Sequence, residues 1–306
     1  MTAMGTHIQH PSRTPDPAAL ARLGNLPLAA KLVVDGLFAG QHRSPRMGYS
    51  VEFAEHRQYT PGVDPRHLDW KILAKRDKLV IKQYEEQTNL RGCILVDVSA
   101  SMNYRHSGAI TKLDYACLCA ASLAYLMQQQ HDAFGLVFFA EDVRTVIPPR
   151  QGKGHLHHVL EALQQVEPGG QTDMARVFNE LAERLRRRAL IVVLSDLVGD
   201  RGDAPQLLDA LGHFRHRKHE VMVMQVLDPA ELDFPFRDAN QVVDMETGRT
   251  VAADGQALRD HYLDRLGEFL TSIERGCATR QISYARTDTQ RPFDRFLTEY
   301  LARRRQ

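Results

Sequence analysis

The apolar positions of this chain change texture near residue 89. Beyond that point, short runs of Val, Ile, Leu and Phe alternate with longer segments whose apolar residues recur at helical spacing. Such alternation is the signature of a parallel sheet wound with crossover helices. The pattern predicts strands over 92–96, 133–139, 189–194, 220–227 and 282–286, and helices over 112–129, 155–165, 174–187, 205–217, 257–275 and 293–303. The first of these helices carries Ala116, Cys117, Cys119, Ala120, Ala121 and Ala124. Small residues in that number let a helix lie close against a sheet and predict a buried central helix. Residues 228–256 interrupt the alternation and read as a loop and a hairpin, with Glu246, Thr247 and Gly248 at the turn.

Before residue 89 the pattern is less regular. Leu20, Leu23, Leu28, Leu32, Val33 and Leu37 recur at loosely helical spacing, broken by Gly24 and Pro27, which predicts a short helix followed by a longer one. Residues 41–87 are rich in charge and turn signals, with one alternating stretch at 79–84. Residues 1–17 mix Pro, Thr, Ser and His without periodicity and read as a leader unable to bury enough surface to order itself. The expected organisation is therefore a leader at 1–17, an N-terminal helix with an irregular or β-rich module at 18–88, and an α/β domain at 89–306. Its core is a doubly wound, mostly parallel sheet with the hairpin inserted at about 228–256.

Composition narrows the function classes. With 39 basic and 38 acidic residues, the chain has no overall electrostatic reason to bind a polyanion, so no nucleic-acid partner is expected. Cys93, Cys117, Cys119 and Cys277 lie in or beside apolar runs without C-x-x-C spacing and read as small core residues. No stretch approaches the roughly 18 uncharged apolar residues of a membrane span, and no apolar leader is present, so a cytoplasmic placement without membrane insertion is expected. The phosphate-binding pattern G-x-x-x-x-G-K-[ST] is absent, which argues against a nucleotide site. His213, His216 and His219 recur at a spacing that spreads them around a helix, so they read as a solvated face rather than a metal trio.

The chemistry concentrates after the first predicted strand, which ends in Asp97-Val98-Ser99-Ala100-Ser101. Alternate side chains on such a loop can converge on one point. Taken alone, the pentapeptide is better read as a strand end closed by an Asx-type turn. Thr172, after the Gly169-Gly170 pair, and Asp196, directly after a strand, change that weighting, because a doubly wound sheet brings these loops to its carboxyl edge. An oxygen-only donor set suits a hard divalent ion, Mg²⁺ above all, with Mn²⁺ or Ca²⁺ as substitutes. Asp114, Asp173 and Asp200 read as helix caps or solvated loop residues.

Asp-x-Ser-x-Ser followed by a distant Thr and a strand-terminal Asp resembles the metal-ion-dependent adhesion site of von Willebrand factor A domains. The resemblance implies that Ser99, Ser101 and Thr172 are direct hydroxyl ligands, with Asp97 and Asp196 acting mostly through water. A second resemblance covers the chain from about residue 32 to near its C-terminus. Tyr59, Pro61, Gly62, Asp64, Arg66, Leu68, Asp69 and Trp70 match a pattern typical of the family known as domain of unknown function 58, with Val63 in place of an Asp. That resemblance implies a von Willebrand A-like core preceded by a family-specific module, in bacterial proteins often associated with MoxR-type AAA+ ATPases. The Tyr59–Trp70 motif would brace the module against the sheet or dock a partner. The function expected is a non-enzymatic interaction module whose metal captures a partner's carboxylate. The alternative is a metal-dependent phosphohydrolase, disfavoured because such enzymes resemble Asp-x-Asp-x-Thr and Ser99 occupies the second acidic position.

Overall fold

In the computed structural model, the residues described are 16–41, 56–58, 80–82, 90–198, 204–236, 241–243, 245, 248–252 and 254–303. The chain divides into two compact units, one made of residues 1–40 with 90–306 and the other of residues 41–89. In the smaller unit, β1 (His56–Gln58) pairs antiparallel with β2 (Val80–Lys82), the latter within the predicted alternating stretch. Tyr59, Pro61, Gly62, Asp64, Arg66, Asp69 and Trp70 lie outside the described residues.

Helix α1 (Pro17–Ala21) is capped by the Asp16 carboxylate, and α2 (Leu26–Gln41) by Asn25, whose side chain accepts from Leu28 N–H. Gly24, at φ +60°, makes the break between them, where a left-handed residue closes a helix without a Cβ penalty. The sequence pattern grouped these helices with the irregular module. They cluster instead with the larger unit, because Leu20, Ala29, Ala30, Val33, Val34 and Leu37 are buried in the same core as Leu113 and Cys117. A helix's periodicity shows that it has a buried face, not which element covers it.

The larger unit is built on a six-stranded sheet in the order β10-β7-β6-β3-β4-β5. Here β3 is Arg91–Asp97, β4 Ala133–Phe139, β5 Val143–Arg150, β6 Leu190–Ser195, β7 Glu220–Leu227 and β10 Ser283–Asp288. All neighbours pair in parallel except β4 and β5. Strand β5 is absent from the sequence prediction because Pro148 and Pro149 and a mostly exposed face disguise it. Both features are tolerated on an edge strand, where one side makes no ladder.

Successive side chains of the central strands enter opposite cores, as a period of two requires. Ile94, Val96, Leu136 and Val192 pack with α3 (Lys112–Gln129), α4 (Lys153–Gln165) and the C-terminal α9 (Asp294–Arg303). Cys93, Leu95, Val137 and Ile191 face α5 (Met174–Arg184), α6 (Ala204–His216) and α8 (Gly255–Thr279). Helix α3 is buried almost all round, as its small residues predict, and opens with a capping box between Thr111 and Asp114. Asp173 caps α5 through its side chain alone, accepting from Arg176 N–H. The insertion holds the short α7 (Pro229–Asp233) and an antiparallel pair, β8 (Gln241–Val243) and β9 (Thr250–Ala252). All four cysteines are free and buried, and burial pushes the Cys93 thiol up to about 12 and that of Cys277 up to about 11. No described helix is long and apolar enough to cross a membrane.

His219 corrects the solvated-face reading. Helix α6 ends at His216, Lys218 turns at φ +66°, and His219 falls inside the structure with its Nδ1 accepting from Ala189 N–H and its Nε2 close to the Leu185 carbonyl. Burial holds its pKa below the usual histidine value, with the Leu185 carbonyl working the other way. A histidine depressed in the folded state binds protons better when unfolded. Its stabilising contribution is therefore present above the unfolded pKa, about 6.5, and declines as pH falls below it. Chemical denaturation from pH 7.5 down to about 5 should show that decline, with a shallower slope in His219→Gln.

Candidate metal centre

Asp97 is the last residue of β3, and Asp196 follows β6, the neighbouring strand. The chain order reverses between these two strands, so the crevice beyond their carboxyl ends is a topological switch point, the usual ligand position in an open α/β sheet. Both carboxylates are fully buried. Asp97 Oδ1 accepts from Ser99 N–H at 2.9 Å, and Oδ2 from the Ser195 hydroxyl at 2.6 Å. Asp196 Oδ1 accepts from Val198 N–H at 3.0 Å, and Oδ2 from Lys112 Nζ at 2.7 Å. Each carboxylate oxygen has one of these partners and keeps a further lone pair for another.

The hydroxyls gather at the same edge. Ser99 Oγ and Ser101 Oγ stand 3.0 Å apart, Ser99 buried and Ser101 half-buried. Their loop is tied to the one carrying Thr172 by two backbone bonds, Gly169 N–H to the Val98 carbonyl at 2.8 Å and Ala100 N–H to the Gly170 carbonyl at 3.0 Å. Gly170 sits at φ +81°, where a side chain would be strained and would also meet Arg144. Thr172 follows, buried, and Asp173 N–H reaches the Ala140 carbonyl at the end of β4. The structure thus brings Asp97, Ser99, Ser101 and Asp196 to one crevice and fastens Thr172's loop beside them. Leu197, next to Asp196, adopts φ +58°, a costly conformation for a leucine. Its buried side chain and a bond from its N–H to Ser195 Oγ hold it there.

Four further residues belong to this site, none of them singled out by the sequence reading. Ser195 orients Asp97. Lys112, 1% exposed, divides its ammonium between Asp196 Oδ2 and Glu231 Oε1, each at 2.7 Å. Burial alone would lower its pKa, but the two carboxylates outweigh that and keep it charged. Glu231 is held above the usual carboxylate range by burial, with Lys112 acting in the opposite direction. Asp228 caps α7 and accepts from the backbone N–H groups of His106, Ser107, Gly108 and Ala230, fixing the loop that leads into α3. Burial works to raise the Asp228 pKa, yet those donors bring it below the ordinary value.

The charges do not balance. Asp196 and Glu231 share one ammonium, and Asp97 beside them is held by neutral donors, Ser99 N–H and the Ser195 hydroxyl, so the cluster carries more carboxylates than cations. Burial, reinforced by the charge of Asp196, pushes Asp97 up to about 7 despite the hydrogen bonds from Ser195 and Ser99. A divalent cation would supply the missing charge, and an all-oxygen set rich in hydroxyls fits a hard ion. Among the described residues no three His, Cys, Asp or Glu side chains form a metal-binding group by themselves, so any ion here depends on the hydroxyls.

A match to the family described as "Protein of unknown function DUF58" spans residues 55–268. The chain belongs to this family. Two relatives of this DUF58 protein are an uncharacterized protein of Mycobacterium bovis, Mb1516, and one of Mycobacterium tuberculosis, Rv1480. Each is 30% identical over 283 residues, covering 89% of this chain and 86% of the relative. Among solved structures, the conserved hypothetical protein BatB of Bacteroides thetaiotaomicron aligns with a TM-score of 0.49 and 16% identity, over 70% of this chain and 98% of its own.

Proposed function

We propose that this DUF58 protein is a von Willebrand factor A-like interaction module that binds Mg²⁺ through Ser99, Ser101 and Thr172, with Asp97 and Asp196 holding the ion's waters. The metal then captures a carboxylate from a protein partner. The observation that supports this most directly is the pair of backbone bonds fastening the 97–101 loop to the 169–172 loop beside two buried, undercompensated carboxylates. Mg²⁺ prefers octahedral oxygen coordination with few carboxylates, so an Asp or Glu from outside completes its shell. The reading is non-enzymatic because Ser99 takes the place of the second acid that an aspartyl-phosphate phosphohydrolase uses. The partner implied by the family resemblance is a MoxR-type AAA+ ATPase.

The test is binding of this chain to a purified MoxR-type ATPase in Mg²⁺ and in EDTA, repeated with Asp97→Ala. The expected result is saturable binding in Mg²⁺ that weakens on the order of thirtyfold or more in EDTA or in the variant, the scale for losing one side of a desolvated charge pair. Binding indifferent to both changes would discard the metal bridge.

A further inference from the structure

The candidate metal centre continues into a cavity of about 320 Å³, and Ser101 lines both. Beyond Ser101 the walls become apolar and aromatic. Phe234 and Phe236 follow α7, Tyr262 comes from α8, and Val243 and Met245 come from the hairpin. Phe234 packs against Phe236 with centroids 5.4 Å apart and against Tyr262 at 4.8 Å, so the rings hold one another in position. Val243 is 55% and Met245 46% exposed. Large apolar side chains left exposed on the wall of a concave site beside polar groups mark a binding surface.

The charges of the lining decide what the cavity takes. Glu231 has both oxygens engaged, Oε1 by Lys112 Nζ and Oε2 by Asp228 N–H, each at 2.7 Å. Lys112 is in turn shared with Asp196. Both oxygens of the lining's one carboxylate are thus taken by internal partners, and the walls beyond it match a neutral, apolar group. The geometry points to a subsite for one large apolar side chain, Phe, Leu or Met, within two residues of the acidic residue that the partner places on the metal. An extended chain advances about 3.3 Å per residue, so neighbouring positions of one peptide can reach the two halves. This inference rests on the metal-bridge reading and adds to it the second element of the recognised motif.

The experiment is a display of random short peptides, panned on the full chain in Mg²⁺ and eluted with EDTA. The expected yield is peptides with Asp or Glu one or two positions from Phe, Leu or Met. In solution, replacing that apolar residue of an enriched peptide by Ser should weaken binding about tenfold or more. The Val243→Asp, Met245→Asp double variant changes only exposed positions. It should bind both peptides equally weakly while keeping the Mg²⁺ requirement. Acidic peptides released by EDTA without an apolar neighbour would overturn the subsite and leave the metal bridge standing. Apolar peptides that bind equally in EDTA, or no enrichment at all, would overturn both.

Discussion

Replacing Lys112 with methionine is expected to cost about 3–5 kcal/mol of folding stability, the range for removing one partner from a buried ionic cluster. Methionine preserves most of the side chain's volume, so the loss reports charge rather than a cavity. It leaves Asp196 and Glu231 without their shared cation, with Asp97 already crowded by Asp196. Denaturant titration should show the midpoint falling with little change in slope. Adding Asp196→Asn and Glu231→Gln to the variant should recover much of the loss, because neutral amides need no counter-charge. If the divalent-ion reading is right, Mg²⁺ should stabilise Lys112→Met more than the unaltered protein, the ion replacing the missing charge. A loss below about 1 kcal/mol would place this pair with solvent-exposed ion pairs and remove the charge argument for the site.

Lys112 also shows where sequence reasoning reached and where it stopped. Asp97, Ser99 and Ser101 were legible because a polar loop directly after a buried apolar run must lie at the end of a strand. Asp196 was legible because strand alternation sends its loop to the same edge. Lys112 and Glu231 join that edge across separations of 84 and 119 residues, through side-chain reach that no local pattern encodes. One faint signal existed: a lysine in the first turn of a helix opposes the helix dipole and invites a reason. The Asp228–Glu231 spacing is likewise a capping box in plain view, inside a segment whose pattern reads as a loop and a hairpin without a helix. His219 was misplaced by extending the helical period past a left-handed turn at Lys218 that its sequence does not announce. Strand β5 was hidden because its edge position lifts the rules by which strands are recognised.

That edge strand also carries the second large effect. Gly135 lies in β4 at an irregularity in its pairing with β5, and a Cβ there would fall 2.5 Å from the Ile147 carbonyl oxygen and 2.8 Å from Pro149 N. Both are backbone atoms, so no side-chain rotation relieves the clash and one strand must move. Gly135→Ala should therefore cost about 3 kcal/mol, at the upper end of overpacking penalties. Gly267→Ala, on α8 with nothing near its would-be Cβ, should instead gain about 0.5–1 kcal/mol. β4 is paired on both sides and its last residues support the crevice beside Asp97, Phe139 accepting from Val98 N–H and Ala140 from Asp173 N–H. β5 has one neighbour, so it is the strand that yields. Arg144, which bonds the Gly169 carbonyl, sits at the opposite end of β5 from the clash, so the loop carrying Thr172 keeps that tie. Hydrogen exchange in Gly135→Ala should accordingly accelerate at Ile147 and Arg150, which flank the two prolines, while any thermal response to Mg²⁺ persists. Unchanged exchange there, with a lost Mg²⁺ response, would mean that the strain passes through β4 into the crevice, and that the sheet's edge does not insulate the site.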